Sequence, residues 1–455
     1  MELDLFVTPG LGDNSYVVSW GDEAAVIDPQ RDVDRFVETA RSRDARIRYV
    51  IETHVHNDYV SGAGELRVAT GAEILAPATG GYAFPTTPVE DGTRISIGDG
   101  SLEALATPGH TPEHTSYLLR DFDGEGVALF SGGSLIVGSA GRTDLLGPER
   151  ADELTRLQFR TMRRLSALPD QVLLLPTHGA GSFCASAPPS SERTSTLGDE
   201  RHLNPALADL DEEAFVRQQL AGLVAYPDYY AHMAPINRAG PPVFGAVPIP
   251  AAMTVDDAAA ALAGGAWLVD TRNGSHFAGA HVPGSLNVPL EPSFAAYVGW
   301  LLPFATPIVL LVESHEGLVE ASTQLHRIGW DPVLGHLEGG VATWAASGRE
   351  TASYPAIGVE QLVAEIGRGE AGDVVDVRQK TEWDAGHLEG SRHVFVGDVP
   401  DSADAFSRSV RSTIVCASGY RSSMVASMLA REGVPVRVVS TAGVPRALRL
   451  LRGGA

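Results

Sequence analysis

The sequence has few cysteines, almost no lysine and no long apolar run. Its two cysteines, Cys184 and Cys416, cannot form a disulfide framework, so we expect a cytoplasmic, reducing location. Lys380 is the only lysine, and the formal net charge is -23. This charge argues against nucleic acid or an anionic membrane as a partner, because both bind basic surfaces. No segment approaches the roughly 20 apolar residues of a membrane span, and the N-terminus lacks the basic, apolar pattern of a signal peptide.

Apart from these scarce residue types, the composition is typical of a globular protein with large cores. Hydrophobic residues make up 44% and charged residues 20% of the 455 residues. This length predicts about three domains of ordinary size. A segment rich in proline and glycine at 239–250 indicates the first boundary, and a second boundary falls near 349–357. We therefore expect domains at 1–245, 252–349 and 356–452.

Three histidine-containing loops indicate a metal site in the first of these domains. The predicted strand 46–51 leads into Thr53-His-Val-His-Asn-Asp58, which carries His54, His56 and Asp58. His110 lies in a second loop, Thr107–His114, and His178 in a third, Pro176–Cys184. Imidazole and carboxylate are the ligands that borderline divalent metals prefer. A lone His-x-His could equally be a solvated loop, but three such loops favour a site.

The order and spacing of these loops resemble the metallo-β-lactamase fold, and within it the persulfide dioxygenase branch. Further matches are Gly141-Arg-Thr-Asp144, Ser195-Thr-Leu-Gly198 and Asn237-Arg-Ala-Gly-Pro241, so that the resemblance covers roughly residues 1–242. It implies an αββα sandwich and a mononuclear Fe(II) held by His54, His110 and an aspartate. Such a 2-His-1-carboxylate set leaves positions open for substrate and O2.

Two positions depart from the family pattern. Tyr59 stands where the superfamily has a further histidine, and Gly133 stands where the family has the iron-binding aspartate. The carboxylate ligand is therefore missing, although His56 and Asp58 lie near enough in sequence to substitute. On this view the substitution Gly133→Asp should raise the iron content and the persulfide-dependent O2 uptake.

The chain beyond residue 250 contains an internal repeat. Leu268-Val-Asp-Thr-Arg272 matches Val374-Val-Asp-Val-Arg378, and a histidine follows each aspartate by 11 residues, at His281 and His387. Strands alternate with helices in both halves, which predicts two small parallel α/β domains. The Asp-x-Arg and His-x-x-Gly patterns resemble tandem rhodanese domains.

The second repeat contains a cysteine loop suited to sulfur transfer. A predicted strand, 412–415, runs into Cys416-Ala-Ser-Gly-Tyr-Arg421, after which a helix begins. Free N–H groups at a helix start, together with Arg421, favour a thiolate. Rhodanese sulfurtransferases have a six-residue loop of this kind. Ser418, Gly419 and Tyr420 are the predicted substrate-binding residues around a Cys416 persulfide.

The first repeat lacks this loop. Val312 occupies the position of Cys416, and acidic side chains follow it in Val312-Glu-Ser-His-Glu-Gly317. This repeat is therefore predicted to be a non-catalytic rhodanese domain with a structural or docking role.

Two further residues have alternative interpretations. Cys184 either relays sulfur near the metal pocket or packs as a small apolar side chain. Arg142 matches the arginine that the family places near its thiol substrate, but Asp144 could instead be its structural partner.

Three hypotheses of function remain open at this point. The first is a sulfide or persulfide enzyme with a Cys416 sulfurtransferase and a dioxygenase-like domain whose Fe(II) site is impaired. The second is a sulfurtransferase whose metal domain is only a scaffold. The third is a zinc hydrolase of the glyoxalase II type. The expected small-molecule partners are a low-molecular-weight thiol persulfide, thiosulfate or sulfite, and a homodimer is compatible with the resemblance.

Overall fold

The computed structural model describes residues 1–453, and its N-terminal part contains two six-stranded β-sheets. The first sheet has the strand order β1-β2-β3-β4-β5-β6 and the second β14-β13-β10-β9-β8-β7, with a small hairpin of β11 and β12 beside them. The strands are β1 (Glu2–Thr8), β2 (Asp13–Trp20), β3 (Glu23–Ile27), β4 (Arg46–Ile51), β5 (Glu73–Pro77), β6 (Thr87–Val89), β7 (Arg94–Ile97), β8 (Gly100–Ala106), β9 (Thr115–Arg120), β10 (Gly126–Gly132), β11 (Leu135–Ile136), β12 (Ser139–Ala140), β13 (Leu173–Pro176) and β14 (Ser195–Thr196).

The two sheets pack against each other through one apolar layer. Tyr16 and Ile51 of the first sheet share this layer with Leu102, Tyr117 and Phe130 of the second. Alternate residues of a strand point to opposite faces, so the remaining apolar side chains of each strand face outward and must be covered. Helices provide that cover.

Six helices accompany these sheets: α1 (Asp34–Ser42), α2 (Ala63–Thr70), α3 (Pro148–Leu165), α4 (Leu197–Leu203), α5 (Glu212–Ala221) and α6 (Tyr230–Ala239). Phe36 of α1 and Leu66 of α2 pack on the outer face of the first sheet. Leu165 of α3 and Phe215 of α5 pack on the outer face of the second. The predicted αββα sandwich is therefore confirmed.

The rest of the chain forms two parallel five-stranded sheets with the same topology. The orders are β15-β19-β18-β16-β17 and β20-β24-β23-β21-β22, so each repeat places its five strands in the same sequence. The first repeat contains β15 (Ala252–Met253), α7 (Val255–Ala263), β16 (Trp267–Asp270), α8 (Gly274–Gly279), β17 (Leu286–Asn287), α9 (Phe294–Leu301), β18 (Ile308–Leu311), α10 (His315–Arg327), β19 (Val333–Leu337) and α11 (Gly340–Ala346).

The second repeat contains β20 (Ala356–Gly358), α12 (Val359–Gly367), β21 (Asp373–Asp376), α13 (Lys380–Ala385), β22 (Arg392–His393), α14 (Val399–Ser402), β23 (Ser412–Val415), α15 (Tyr420–Arg431), β24 (Val436–Thr441) and α16 (Val444–Leu451). The shared strand order confirms the internal repeat inferred from the sequence.

The repeated Asp-x-Arg motif is an ion pair at the end of the second strand of each repeat. Arg378 binds Asp376 through Nε and Nη2, at 2.9 and 2.7 Å, and donates to the carbonyl of Gly386. In the first repeat Arg272 pairs with Asp270 in the same way. Each arginine thus ties its strand end to the segment before the histidine of the motif.

The chain divides into two compact units, one formed by residues 1–248 with 325–329 and the other by residues 249–324 with the chain from Trp330 onward. Both repeats lie in the second unit. The finer boundaries at 252–349 and 356–452 stay a prediction. Among residues 1–453 no helix combines the length and apolarity needed to cross a bilayer.

The buried pair of the second repeat generates a stability prediction. Arg378→Leu leaves the Asp376 carboxylate buried without its cation, which should cost about 3–5 kcal/mol of unfolding free energy. Arg368→Leu, which removes the exposed Arg368–Glu370 pair, should cost no more than about 1 kcal/mol. Urea denaturation of both variants measures the difference, and equal losses would contradict the structural role of the motif.

Candidate functional site

The structure brings four of the predicted metal-binding residues into one buried group, which we call the histidine cluster. His54 and His56 follow β4, His110 lies between β8 and β9, and His178 follows β13. None of the four is more than 1% exposed. The ring centroid of His54 lies 4.2 Å from that of His56, 4.9 Å from that of His110 and 5.4 Å from that of His178.

Three rings of the cluster have Nδ1 beside an oxygen acceptor. The pairs are His54 with Thr53 Oγ1 at 2.8 Å, His110 with the Arg142 carbonyl at 2.7 Å, and His178 with Asp13 Oδ1 at 2.8 Å. The Thr53 hydroxyl donates to Asp28 and therefore accepts from His54. With the proton on Nδ1, each Nε2 presents a lone pair. Burial also lowers the pKa of His54 and of His110 well below the ordinary value, which keeps these rings neutral.

His56 has the opposite arrangement. Its Nε2 lies 2.9 Å from the hydroxyl of Tyr59, 3.2 Å from Glu52 and 3.3 Å from Asp28, whereas its Nδ1 has no hydrogen-bond partner. Burial acts against a charged ring, but the Asp28 and Glu52 carboxylates raise the pKa of His56 well above its ordinary value. The cluster therefore attracts positive charge at this position.

Asp58 lies beside the histidine cluster and contacts only one of its rings closely. Its Oδ2 is 3.3 Å from Nδ1 of His178, on the side of that ring where Asp13 also lies. Burial raises the pKa of Asp13 to about 8, and burial together with Asp13 raises the pKa of Asp58 to about 7. The assignment of Asp58 as a direct metal ligand stays a prediction.

Gly133 explains why the rings lie so close together. A Cβ at this position would be 2.3 Å from Cδ2 and 2.7 Å from Nε2 of His110, and 2.9 Å from Cδ2 of His178. The imidazoles thus fill the space that an aspartate would need. The residues present do not fit a 2-His-1-carboxylate iron centre. The expectation that Gly133→Asp raises the iron content requires both rings to move, and it stays a prediction.

The two positions that depart from the family pattern have structural roles here. The Tyr59 hydroxyl donates to the Asp28 carbonyl at 3.1 Å and contacts Nε2 of His56. The backbone N–H of Gly133 donates to Nε2 of His114 at 2.9 Å. His114 lies in the same loop as His110, and burial lowers its pKa to about 3. His114 thus binds the backbone of Gly133, the residue that stands where the family has an aspartate.

Sequence reasoning missed Asp13, Asp28, Glu52 and His114. They lie outside the His-x-His motif, yet each contacts a cluster residue or the backbone beside it. One sequence signal was available for Asp28, which directly follows strand β3 and precedes a proline; in the structure it has a positive φ of 50°. Non-glycine residues adopt such a conformation mainly when their surroundings require it.

The structure supports the structural interpretation of Arg142. Its guanidinium forms two hydrogen bonds with Asp144, at 2.6 and 2.7 Å, donates to the carbonyl of Phe183 and lies over the ring of Tyr226. Cys184 is fully buried next to it, and burial raises the pKa of its thiol well above the ordinary value. A neutral thiol is a poor nucleophile, which argues against sulfur relay by Cys184.

The Cys416 loop has the predicted geometry between β23 and α15. The backbone N–H of Gly419 donates to Sγ at 3.1 Å, and Sγ lies 3.6 Å from Oγ of Ser422. Gly419 has a φ of +103°, and a Cβ there would meet the carbonyl oxygen of Ser440 at 2.3 Å. Only glycine allows the backbone to turn so that its N–H faces the sulfur.

Arg421 binds a carboxylate as well as lying near the cysteine. Its guanidinium makes two hydrogen bonds to Glu382 of α13, one of them at 2.9 Å. Burial opposes the charge, but these bonds raise the pKa of Arg421 above its ordinary value. The positive charge of Arg421 is thus shared between the loop and a neighbouring acid.

The first repeat contributes aromatic side chains to the surroundings of the loop. The ring of Tyr420 meets the ring of Tyr297 from α9 edge to face, with centroids 5.5 Å apart. Burial raises the pKa of Tyr297 to about 12. Ser418 is exposed on the loop, whereas Cys416 is fully buried.

The corresponding region of the first repeat has Val312 at the position of Cys416. Strand β18 runs into Val312, and a cavity of about 520 Å³ lies beside the loop, lined by residues that include Glu313, His315 and Glu338. The predicted absence of sulfur chemistry in this repeat rests on Val312 and stays a prediction.

Comparison with known families matches both parts of the chain. The Metallo-beta-lactamase superfamily model matches residues 8–178. The Rhodanese-like domain model matches residues 254–347 and 358–455.

Individual relatives and a solved structure match different shares of the chain. The persulfide dioxygenase ETHE1 of Homo sapiens is 30% identical over 197 residues, which cover 43% of this chain and 70% of that protein. The hydroxyacylglutathione hydrolase of Cereibacter sphaeroides is 31% identical over 183 residues, 39% of this chain and 67% of that protein. A crystal structure described as a metallo-beta-lactamase from Staphylococcus aureus covers 74% of this chain and 98% of its own, with 29% identity and a TM-score of 0.66.

The packing around Gly133 generates a prediction. Gly133→Ala should lower the unfolding free energy by about 1–3 kcal/mol, because the added methyl group overpacks the His110 and His178 rings. Gly64→Ala is a suitable control, since the nearest atom to a Cβ there is a Val243 methyl at 3.3 Å. Thermal denaturation measures both variants, and a Gly133→Ala protein as stable as the control would contradict the packing described here.

Proposed function

The chain belongs to the metallo-β-lactamase superfamily through its N-terminal domain and carries two rhodanese-like domains after it, and from this premise we propose that it is a sulfurtransferase that works through a persulfide on Cys416. The combination of these domains supports a role in sulfur metabolism. The observation that carries the proposal is the Gly419 N–H aimed at Sγ of Cys416 where α15 begins.

The transfer is a pair of exchange reactions at sulfur. The Cys416 thiolate attacks the sulfane sulfur of a donor, the S–S bond of the donor breaks, and sulfite or a thiolate leaves with the electron pair. The resulting Cys416 persulfide is attacked at its outer sulfur by an acceptor thiolate or sulfite, and the Cys416 thiolate is released. N–H groups at a helix start stabilise the anionic sulfur in both steps.

Burial of Cys416 favours small donors. Its side chain is fully buried, in a loop that also carries Tyr420, whose ring contacts that of Tyr297. Thiosulfate or a low-molecular-weight thiol persulfide fits this enclosure better than a folded protein carrier.

The proposed reaction includes no dioxygenase step in the N-terminal domain. The relatives named persulfide dioxygenase make iron chemistry the natural expectation, but Gly133 supplies no carboxylate and the rings of His110 and His178 occupy the space. The proposed activity therefore depends on the second repeat.

The first test concerns the nucleophile. Cys416→Ser should abolish sulfur transfer from thiosulfate to cyanide or to a thiol, because serine cannot form the persulfide, whereas Cys184→Ser should retain it. Mass spectrometry after reaction with the donor should place one additional sulfur atom on Cys416. Sulfur transfer by a folded Cys416→Ser protein at the wild-type rate would contradict the proposal.

The second test separates the two roles of Arg421. Arg421→Gln leaves the half-buried Glu382 carboxylate without its cation, so both the stability and the transfer rate should fall. The double variant Arg421→Gln/Glu382→Gln should recover the melting temperature, because no unpaired charge remains, but should transfer sulfur slowly, because no cation faces the persulfide. Recovery of the full rate in the double variant would show that Arg421 serves only the fold.

A further inference from the structure

We propose that Tyr297, a residue of the first repeat, determines which sulfur donors react at Cys416. Its hydroxyl donates a hydrogen bond to an oxygen of the donor, so that a sulfonate-bearing donor such as thiosulfate is preferred to an alkyl persulfide. This role rests on the sulfurtransferase function proposed above, to which it adds a residue and a class of donor.

Helix α9, which carries Tyr297, is held against the second repeat by close aromatic packing. The ring of Trp300 meets that of Phe395 edge to face, with centroids 5.0 Å apart. A Cβ on Gly397 would lie 2.1 Å from Nε1 of Trp300, so the backbone of the second repeat approaches this indole closely. Tyr297, about one helical turn earlier, stacks on Trp300 with centroids 6.0 Å apart. The position of Tyr297 relative to the second repeat is therefore fixed.

A second set of contacts fixes α15, the helix that begins at the Cys416 loop. Cζ of Arg431 lies 3.7 Å from the centroid of the Trp267 ring. Oγ of Ser427 accepts a hydrogen bond at 2.9 Å from the backbone N–H of Asn287. Both repeats belong to one compact unit. The first repeat thus holds α9 and the start of α15 in a defined arrangement.

The ring of Tyr297 reaches the Cys416 loop itself. It contacts the ring of Tyr420 at 5.5 Å between centroids, with an angle of 82° between the planes. Burial raises the pKa of Tyr297 to about 12, the Arg421 guanidinium acts to lower it, and Cys416 and Glu382 act to raise it. The phenol is thus within electrostatic reach of the sulfur and of the guanidinium. With this pKa the hydroxyl keeps its proton and serves as a hydrogen-bond donor.

The hydroxyl of Tyr297 is available to a ligand. Tyr297 is only partly buried, and within residues 1–453 its hydroxyl has no hydrogen-bond partner. The neighbouring cation is less available, because the two terminal nitrogens of Arg421 each bind Glu382. A sulfur donor that carries oxygen atoms therefore meets a free hydroxyl near the Gly419 N–H that faces Sγ of Cys416.

The difference between oxygen and sulfur as acceptors decides the preference. A phenol donates strongly to an anionic sulfonate oxygen, whereas divalent sulfur is a weak acceptor. When the Cys416 thiolate attacks the outer sulfur of thiosulfate, the S–S bond breaks and sulfite leaves with the electron pair. The hydrogen bond from Tyr297 remains on a sulfite oxygen and stabilises the charge that the leaving group gains. An alkyl persulfide releases a thiolate instead, and its leaving sulfur carries no oxygen.

Time-resolved loading of Cys416 in the full-length protein tests this role. Thiosulfate or glutathione persulfide is mixed with the protein, and mass spectrometry of quenched samples gives the rate of persulfide formation. Tyr297→Phe keeps the ring contacts and removes only the hydroxyl. It should slow loading from thiosulfate about 10- to 100-fold, the effect of one hydrogen bond to a charged group, and leave loading from glutathione persulfide within about twofold of the wild type.

Tyr354→Phe is the matched control, because it removes the hydroxyl of a buried tyrosine elsewhere in the same compact unit. The ring of Tyr354 contacts Phe277 and His281, and the variant should load from both donors as the wild type does. Melting curves establish that each variant is folded. An equal loss with both donors in Tyr297→Phe, or no loss with thiosulfate, would overturn the proposal.

A binding measurement separates this role from sulfur transfer itself. In the Cys416→Ser background, which cannot form the persulfide, calorimetry with thiosulfate should give a Kd that Tyr297→Phe raises about tenfold. If the wild type loads from neither donor, the transfer proposal fails, and this Kd still decides the role of Tyr297. An unchanged Kd, or no binding of thiosulfate at millimolar concentration, would show that Tyr297 does not bind the donor.

Discussion

The arrangement of the N-terminal domain depends on one buried carboxylate, that of Asp28. It accepts hydrogen bonds from the backbone and hydroxyl of Thr53 after β4 and from the hydroxyl of Thr177 after β13, and it lies beside His56. Burial opposes its ionisation, but these donors and the His56 ring lower the pKa of Asp28 below its ordinary value. A buried charge is tolerated only when it is fully paired. These contacts therefore join the two sheets at the place where the histidines meet.

The need to pair buried charges also bears on the surroundings of Gly133. In a 2-His-1-carboxylate centre the anion comes from the position that Gly133 occupies, and here His110 and His178 fill that space while the acids lie behind the rings. The acids behind the rings differ in charge, because the donors around Asp28 lower its pKa, whereas burial raises the pKa of Asp13 to about 8 and, together with Asp13, that of Asp58 to about 7. The groups that face one another at the centre of the cluster are imidazole nitrogens.

The two repeats share one scaffold and differ in the loop after the fourth strand. Both have the same strand order and the same buried Asp-x-Arg pair, so their folds do not depend on the loop after the fourth strand. That loop has Cys416 and an inward N–H from Gly419 in the second repeat, and Val312 followed by acids in the first. The first repeat contributes Tyr297, whose ring contacts that of Tyr420 in the Cys416 loop.

The sequence by itself indicated the fold class of the N-terminal part through the resemblance carried by its histidine loops. It also indicated the internal repeat and the cysteine loop, because these rest on local patterns: a duplicated Asp-x-Arg, and a cysteine between a strand and a helix start. It also located the histidine loops and the gap at Gly133. Only the tertiary structure decided which side chains lie beside Gly133 and which partners the charged residues have. The contact of Asp28 with Thr177 spans 149 residues of sequence, and that of Arg421 with Glu382 spans 39. Pairings at such separations are set by how the sheets and helices pack, and no local pattern reports them.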